Sequence, residues 1–213
     1  MFVPLKTEIE SRFAAVDSFF KETRKLKSNE EKTARGLAFV HMYSVYEYSV
    51  RTAVQIAIDA ISVHAHNSKD LSPTLLALFL DAQLKSLKDC GLKDLWRKRL
   101  QLFEAAFSTS IPIIDNQVIP TDGTHYRHTH LQIIFEVLGI KRTPAQRQRH
   151  LLRIDEVVNN RNAVAHGRET PDAVGRRYTR GDIHHRIEQM ESVSKLFVSA
   201  IEAHCANPKK HCR

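Results

Sequence analysis

Apolar residues along this chain recur every three to four positions rather than every second one, so the pattern predicts helices almost throughout. A first helix is expected over about 5–27, with Ile9, Phe13, Val16, Phe19 and Phe20 on its inner face. Ser28 and Glu31 read as a capping box that opens a second helix, running to about Val63. Its stripe contains Val40, Tyr43, Val50, Val54, Ile58 and Ile61. Ser72-Pro73 starts a third helix, to about Lys88, and a fourth covers about 92–107, where Trp96 is expected to pack. A shorter one runs over about 127–138 and stops at Gly139. Thr143-Pro144-Ala145-Gln146 combines an N-cap, proline at the first helical position and Gln at the third, so the next helix covers about 144–166 and Gly167 closes it. The last spans about 182–204, with Ile183, Ile187, Met190, Val193, Leu196, Phe197 and Ile201 inward. Between them lie an irregular loop over 108–126, a polar linker over 168–180 and a frayed tail over 205–213. No repeat or domain linker interrupts this order. The expectation is a single all-α domain over 1–213, an antiparallel bundle of about five to seven helices.

Two polar residues intrude on the apolar stripes. In the helix over 144–166 the stripe is Leu151, Ile154, Val157, Val158, Val164 and Ala165, and Arg161 falls near its middle. A guanidinium there needs an anion, a wet cavity or a ligand, because burying it alone costs several kcal/mol or more. Asn162 and His166 are four apart and share a face, whereas Arg161 and His166 lie about 140° apart round the helix. With Gly167 as the residue after the cap, local unwinding would swing His166 toward Arg161. In the second helix Glu47 sits inside the stripe, four after Tyr43 and three before Val50. Glu47 and Arg161 are natural partners. They form either a buried structural ion pair or a carboxylate that orients a functional arginine, and periodicity leaves both open.

Charge narrows the partner. Of a formal +8, residues 141–186 supply six, from 11 Lys and Arg against 5 Asp and Glu. Positive charge gathered round the Arg161–His166 stretch suits RNA or another polyanion. Three cysteines without tight spacing argue against a disulfide framework. Neither His125, His128 and His130 nor the repeated His204-Cys205 and His211-Cys212 matches a strong ligand spacing, so no metal and no cofactor are expected. No glycine-rich phosphate loop and no serine nucleophile elbow appear. No apolar run approaches the roughly 18 residues that cross a bilayer, and the start MFVPLKTEIESRF lacks signal-peptide features. A cytoplasmic location without membrane contact is expected.

That leaves arginine, asparagine and histidine as the chemistry. Metal-free RNA cleavage needs a base for the 2′-hydroxyl proton, an acid for the leaving 5′-oxygen and a cation on the phosphorane oxygens. Imidazole serves either proton role, and a guanidinium fork matches phosphate. One histidine per motif suggests that two copies supply acid and base across a two-fold axis.

The same residues carry a family likeness. Asp155, Val157-Val158, Arg161-Asn162, Val164 and Ala165-His166-Gly167 resemble the Arg-x4–6-His signature of HEPN-superfamily ribonucleases, closest to the MAE-type prokaryotic HEPN-like nucleases. Tyr43 and Glu47 match a Tyr-x-x-x-Glu pattern, and Leu138-Gly139-Ile140 matches the element before the motif helix. The likeness spans about residues 30–204. It implies an all-α bundle that dimerises with both motifs facing one cleft, forming a composite active site. It also implies metal-independent RNA cleavage, often in toxin–antitoxin or phage-defence systems, with an antitoxin as partner. By carry-over Arg161 and His166 are catalytic and Asn162 orients the site, with Glu47 in support.

Around that core, Arg168, Arg176, Arg177 and Arg180 either line an RNA path or form a merely solvated basic loop. Tyr178 either stacks a base or covers the core edge. Two rivals use the same residues: a non-catalytic RNA- or nucleotide-binding module acting as adaptor or antitoxin, and a structural interaction domain in which Arg161 only neutralises Glu47.

Overall fold

The computed structural model describes residues 1–64, 67–111, 113–114, 126–140 and 148–207, and every regular element among them is helical. In chain order these are α1 (Val3–Glu22), α2 (Ser28–His64), α3 (Pro73–Phe79), α4 (Asp81–Asp89), α5 (Leu95–Ala106), α6 (His128–Val137), α7 (Gln148–Ala165), α8 (Pro171–Gly175) and α9 (Arg180–Cys205). The fold is all-α, as the periodicity predicts. No helix among the described residues is long and apolar enough to cross a membrane. The chain divides into two compact units. One comprises Met1–Ala53, His125–Leu131 and Pro144–Ala200; the other comprises Val54–Thr124, Gln132–Thr143 and Ile201–Arg213.

In the first unit the expected stripes are largely buried: Ile9, Phe13, Val16 and Phe20 on α1, Tyr43 and Val50 on α2, Ile154, Val157 and Val158 on α7, and Ile183, Ile187, Met190, Val193 and Phe197 on α9. Phe19 departs from expectation. It lies about 100° round the helix from Phe20 and is exposed, packing edge-on to His41 at 6.0 Å between ring centroids. The cap of α2 is also shifted by one residue. Glu30, not Glu31, reaches back, accepting the Lys27 N–H at 3.1 Å. A lysine at the cap offers no acceptor for the reciprocal bond, so this is half of a capping box.

The expected polar linker over 168–180 contains a helix. Pro171 stands at the first turn of α8, and this short helix lies directly on α2 because two glycines permit it. A Cβ on Gly36 would stand 2.0 Å from Pro171 O, and one on Gly175 would stand 1.8 Å from Lys32 O. Both obstacles are backbone, which no rotamer change can move. Gly36→Ala or Gly175→Ala is therefore expected to destabilise by about 1–3 kcal/mol or more, seen as a lower denaturant midpoint. Gly91→Ala, where a Cβ meets nothing within 4 Å, serves as the silent control. An unchanged midpoint in both α2–α8 variants would refute the close approach.

In the second unit the helix expected over about 73–88 breaks at Leu80, where φ −88° and ψ 4° end α3 before α4 begins. Ser68 Oγ lies 2.7 Å from Ala105 O and 2.9 Å from Ser108 O, tying the end of α5 to the preceding loop. Trp96 is 75% exposed rather than packed. Leu100 and Phe103 on α5, with Leu92 and Phe107 just beyond its ends, are exposed as well, and the Arg99 guanidinium covers the Trp96 ring at 4.8 Å. The expected helix start at Thr143-Pro144, much of the loop over 108–126 and the tail beyond residue 207 lie outside the described residues.

Candidate functional site

The site is built where α7 lies against α2 and the segment that leads into α6, all within the first unit. On α7 the sequence alternates what it buries and what it presents. Ile154, Val157 and Val158 are buried, and the two residues flanking Arg161, Asn160 and Asn162, are buried as well. Asn160 donates to Glu156 O at 2.9 Å and to Tyr178 Oη at 2.8 Å, so its amide has partners inside. Glu156 fastens the helix to α9 through Arg186, with Nε 3.2 Å and Nη2 3.3 Å from the carboxylate oxygens.

Arg161 is half-buried, as a cation set into an apolar stripe must be if it is to work at a surface. Its Nη1 donates to Asn162 Oδ1 at 3.0 Å, and its guanidinium lies over the ring of Tyr43, 5.0 Å from the centroid. A guanidinium at that distance is attracted by the negative ring face. Tyr43 is itself fully buried. Burial, with the Glu47 carboxylate second, holds its phenol well above the ordinary range, so the group beneath Arg161 is a neutral ring.

Glu47 thus enters the site through Tyr43, one turn before it on α2. Among the contacts of Arg161 are those with Asn162 and Tyr43, and the Glu47 carboxylate acts on that same Tyr43.

His166 follows the last residue of α7 and is exposed. Its N–H still donates to Asn162 O at 3.1 Å, so the helical course runs through it without the expected unwinding. The chain turns one residue later, at Gly167 with φ +65°, a conformation that glycine adopts without strain. There Gly167 N donates to Val164 O at 3.1 Å, and Glu169 N donates to Ala163 O at 3.0 Å.

One part of the site escaped the sequence reading. Asp155, Asn159, Asn162 and His166 follow a four-three-four spacing, which places them within about 60° on one face of α7. On the Asp155 and Asn159 end of that face the segment Tyr126-Arg127-His128 is docked. Tyr126 N donates to Tyr43 Oη at 3.1 Å, and Tyr46 Oη donates to Tyr126 O at 3.0 Å. Both backbone groups of one buried residue are thereby satisfied by tyrosine hydroxyls. Arg127 Nη2 then donates to Asn159 Oδ1 at 2.8 Å. Asp155 accepts the His128 N–H at 3.2 Å and lies 2.7 Å from His128 Nδ1. The spacing on α7 was the available signal; the docking of a loop residue eighty positions from Tyr46 had none.

The histidine groups resolve accordingly. His128 is held by Asp155, and His130 Nδ1 accepts the Arg127 N–H at 3.3 Å, while His125 lies outside the described residues. His204 and Cys205 are buried, and burial pushes the Cys205 thiol up to about 11. His211 and Cys212 lie outside the described residues.

The basic residues after the motif separate into two kinds. Arg168, next to His166-Gly167, is exposed and has no ion-pair partner among the described residues. Arg176 pairs with Asp172 at 3.3 Å and Arg177 with Glu169, both on the surface where such pairs are easily exchanged. Arg180 turns inward instead. Its guanidinium donates to Phe20 O at 2.6 Å and Thr23 Oγ1 at 3.0 Å, lies 3.4 Å from Glu31, and covers the Phe20 ring. Tyr178 has its hydroxyl on Asn160 and its ring 4.9 Å from that of Phe39. Of the two roles open to Tyr178 in the sequence, these contacts fit covering the core edge.

With this geometry in place, a family model described as RiboL-PSP-HEPN matches residues 7–204. No curated protein and no solved structure matches the chain.

Proposed function

The chain belongs to the RiboL-PSP-HEPN family, and from that premise we propose that it is a metal-independent endoribonuclease. One observation carries the reading. The Arg161 guanidinium is held half-buried over Tyr43 by Asn162, on the helix whose end presents an exposed His166.

The chemistry follows from what each group can supply. His166 acts as base or acid: it takes the 2′-hydroxyl proton, or gives a proton to the departing 5′-oxygen. The 2′-oxygen attacks phosphorus, the bond to the 5′-oxygen breaks, and the products are a 2′,3′-cyclic phosphate and a 5′-hydroxyl. Arg161 stabilises the negative phosphorane oxygens, which gain charge only in the transition state. Asn162 fixes the guanidinium fork, and Glu47 supports it indirectly through Tyr43. Arg168, with Arg176 and Arg177, continues the positive track for the RNA backbone. The motif's likeness to the MAE-type nucleases favours cutting over binding alone.

The active unit is a homodimer with a composite site, since two proton-transfer roles are filled by two copies of one imidazole. The setting that suits such an enzyme is a toxin–antitoxin or phage-defence system, with an antitoxin as the restraining partner. The test is cleavage of RNA in excess EDTA: activity should persist undiminished. Activity regained only on adding a divalent cation would overturn the metal-independent reading.

A further inference from the structure

We infer that Arg127, presented by Asn159, is a second phosphate-binding subsite, gripping the backbone one linkage away from the phosphate held by Arg161. This rests on the RNA-cleaving reading above and adds a residue outside the motif to it.

Two guanidiniums are displayed in the same way along α7. Arg161 is bonded to Asn162 at 3.0 Å and Arg127 to Asn159 at 2.8 Å. The two asparagines are three residues apart, about 4.5 Å along the helix axis and on one face. For Arg127 the acceptor is a neutral amide, which orients the fork without cancelling its charge. Among the described residues no carboxylate pairs with Arg127, although every arginine of the exposed loop after α8 that faces a carboxylate has taken one.

The two are also mechanically linked. The ring under Arg161 belongs to Tyr43, whose hydroxyl holds Tyr126 N, the residue before Arg127. Tyr46 grips the other side of Tyr126, and Asp155 takes both the N–H and Nδ1 of His128. Arg127 is therefore fixed between two anchored neighbours, while its Asn159 partner is exposed. Arg127 is half-buried, as Arg161 is, with its fork held on Asn159, and a flexible polyanion strand is the ligand class that meets two such forks in succession.

The experiment uses the full chain and a single-stranded oligoribonucleotide that the wild type cuts. Arg127→Ala should raise KM and lower kcat/KM about tenfold with kcat little changed, the loss expected of one charge-assisted grip. The salt dependence of kcat/KM should fall by about 0.7 in log–log slope, as for one lost phosphate contact on a single strand. Arg127→Lys should recover part of the loss, since it restores charge without the fork. A neutral methylphosphonate, placed in turn at each linkage flanking the cut, should cost the wild type the same tenfold at one position and cost Arg127→Ala nothing more there. Unaltered melting of Arg127→Ala, with Asn159→Ala as a second variant reaching the same subsite, separates this from a folding defect. Unchanged kinetics in a folded Arg127→Ala, or losses that multiply at every linkage, would overturn the subsite alone. A wild type that neither binds nor cuts any RNA would overturn the function reading and the subsite with it.

Discussion

His166→Ala should lower kcat by about 10²–10⁴-fold and leave the melting curve where it is. The side chain is exposed, its backbone bond to Asn162 is kept by alanine, and the turn at Gly167 is untouched. An exposed imidazole at the helix end contributes little burial, so the loss is expected in chemistry rather than in the melting curve. Arg161→Ala should lose cleavage to a similar degree, but with a second effect. Its guanidinium covers the buried Tyr43 ring and satisfies Asn162, so removing it opens that ring to water and strands a buried amide. A lower melting temperature should therefore accompany the lost activity in Arg161→Ala and not in His166→Ala. Single-turnover cleavage and thermal melts of the two variants check this together. Full activity in a well-folded His166→Ala protein would sink the catalytic assignment.

The composite dimer makes an equally large prediction about mixtures. Wild-type chains equilibrated with an excess of His166→Ala chains should lose activity faster than their own fraction falls, because heterodimers hold one imidazole where two are used. At high excess nearly all wild-type chains sit in dead heterodimers. Subunit exchange is verified first by mixing two differently labelled wild-type pools. Activity that simply tracks the amount of wild-type protein would mean that each chain works alone.

Much of this was legible in the chain before its structure. The period of α1, α2, α7 and α9 predicted the all-α class, and Arg161 within the α7 stripe drew attention to the residue that lies over Tyr43. Gly167 predicted where α7 turns, although the unwinding before it is absent because the Asn162–His166 bond is intact. What stayed hidden is of two kinds. A stripe shows which side of a helix is apolar, not whether anything covers it: hence Trp96 on α5 and Phe19 on α1, both expected inside and both exposed. Long-range docking has no periodic signature either. Tyr126-Arg127-His128 reads as the end of an irregular loop, and only the hydroxyls of Tyr43 and Tyr46 and the acceptors Asp155 and Asn159 make it part of the site. The α8 helix was missed for a related reason. Five residues are too few for a period, and the Gly36–Gly175 contact that lets it lie on α2 joins two distant segments.

The end groups on RNA cut in excess EDTA test the central claim most directly. Attack by the 2′-oxygen retains that oxygen on phosphorus, so the 5′ fragment should carry a 2′,3′-cyclic phosphate or its hydrolysed monophosphate, and the 3′ fragment a free 5′-hydroxyl. A single 2′-deoxynucleotide at the cut site should stop cleavage there. Fragments bearing a 3′-hydroxyl and a 5′-phosphate, or cleavage undiminished at the deoxy position, would contradict the 2′-hydroxyl mechanism and the roles given to His166 and Arg161.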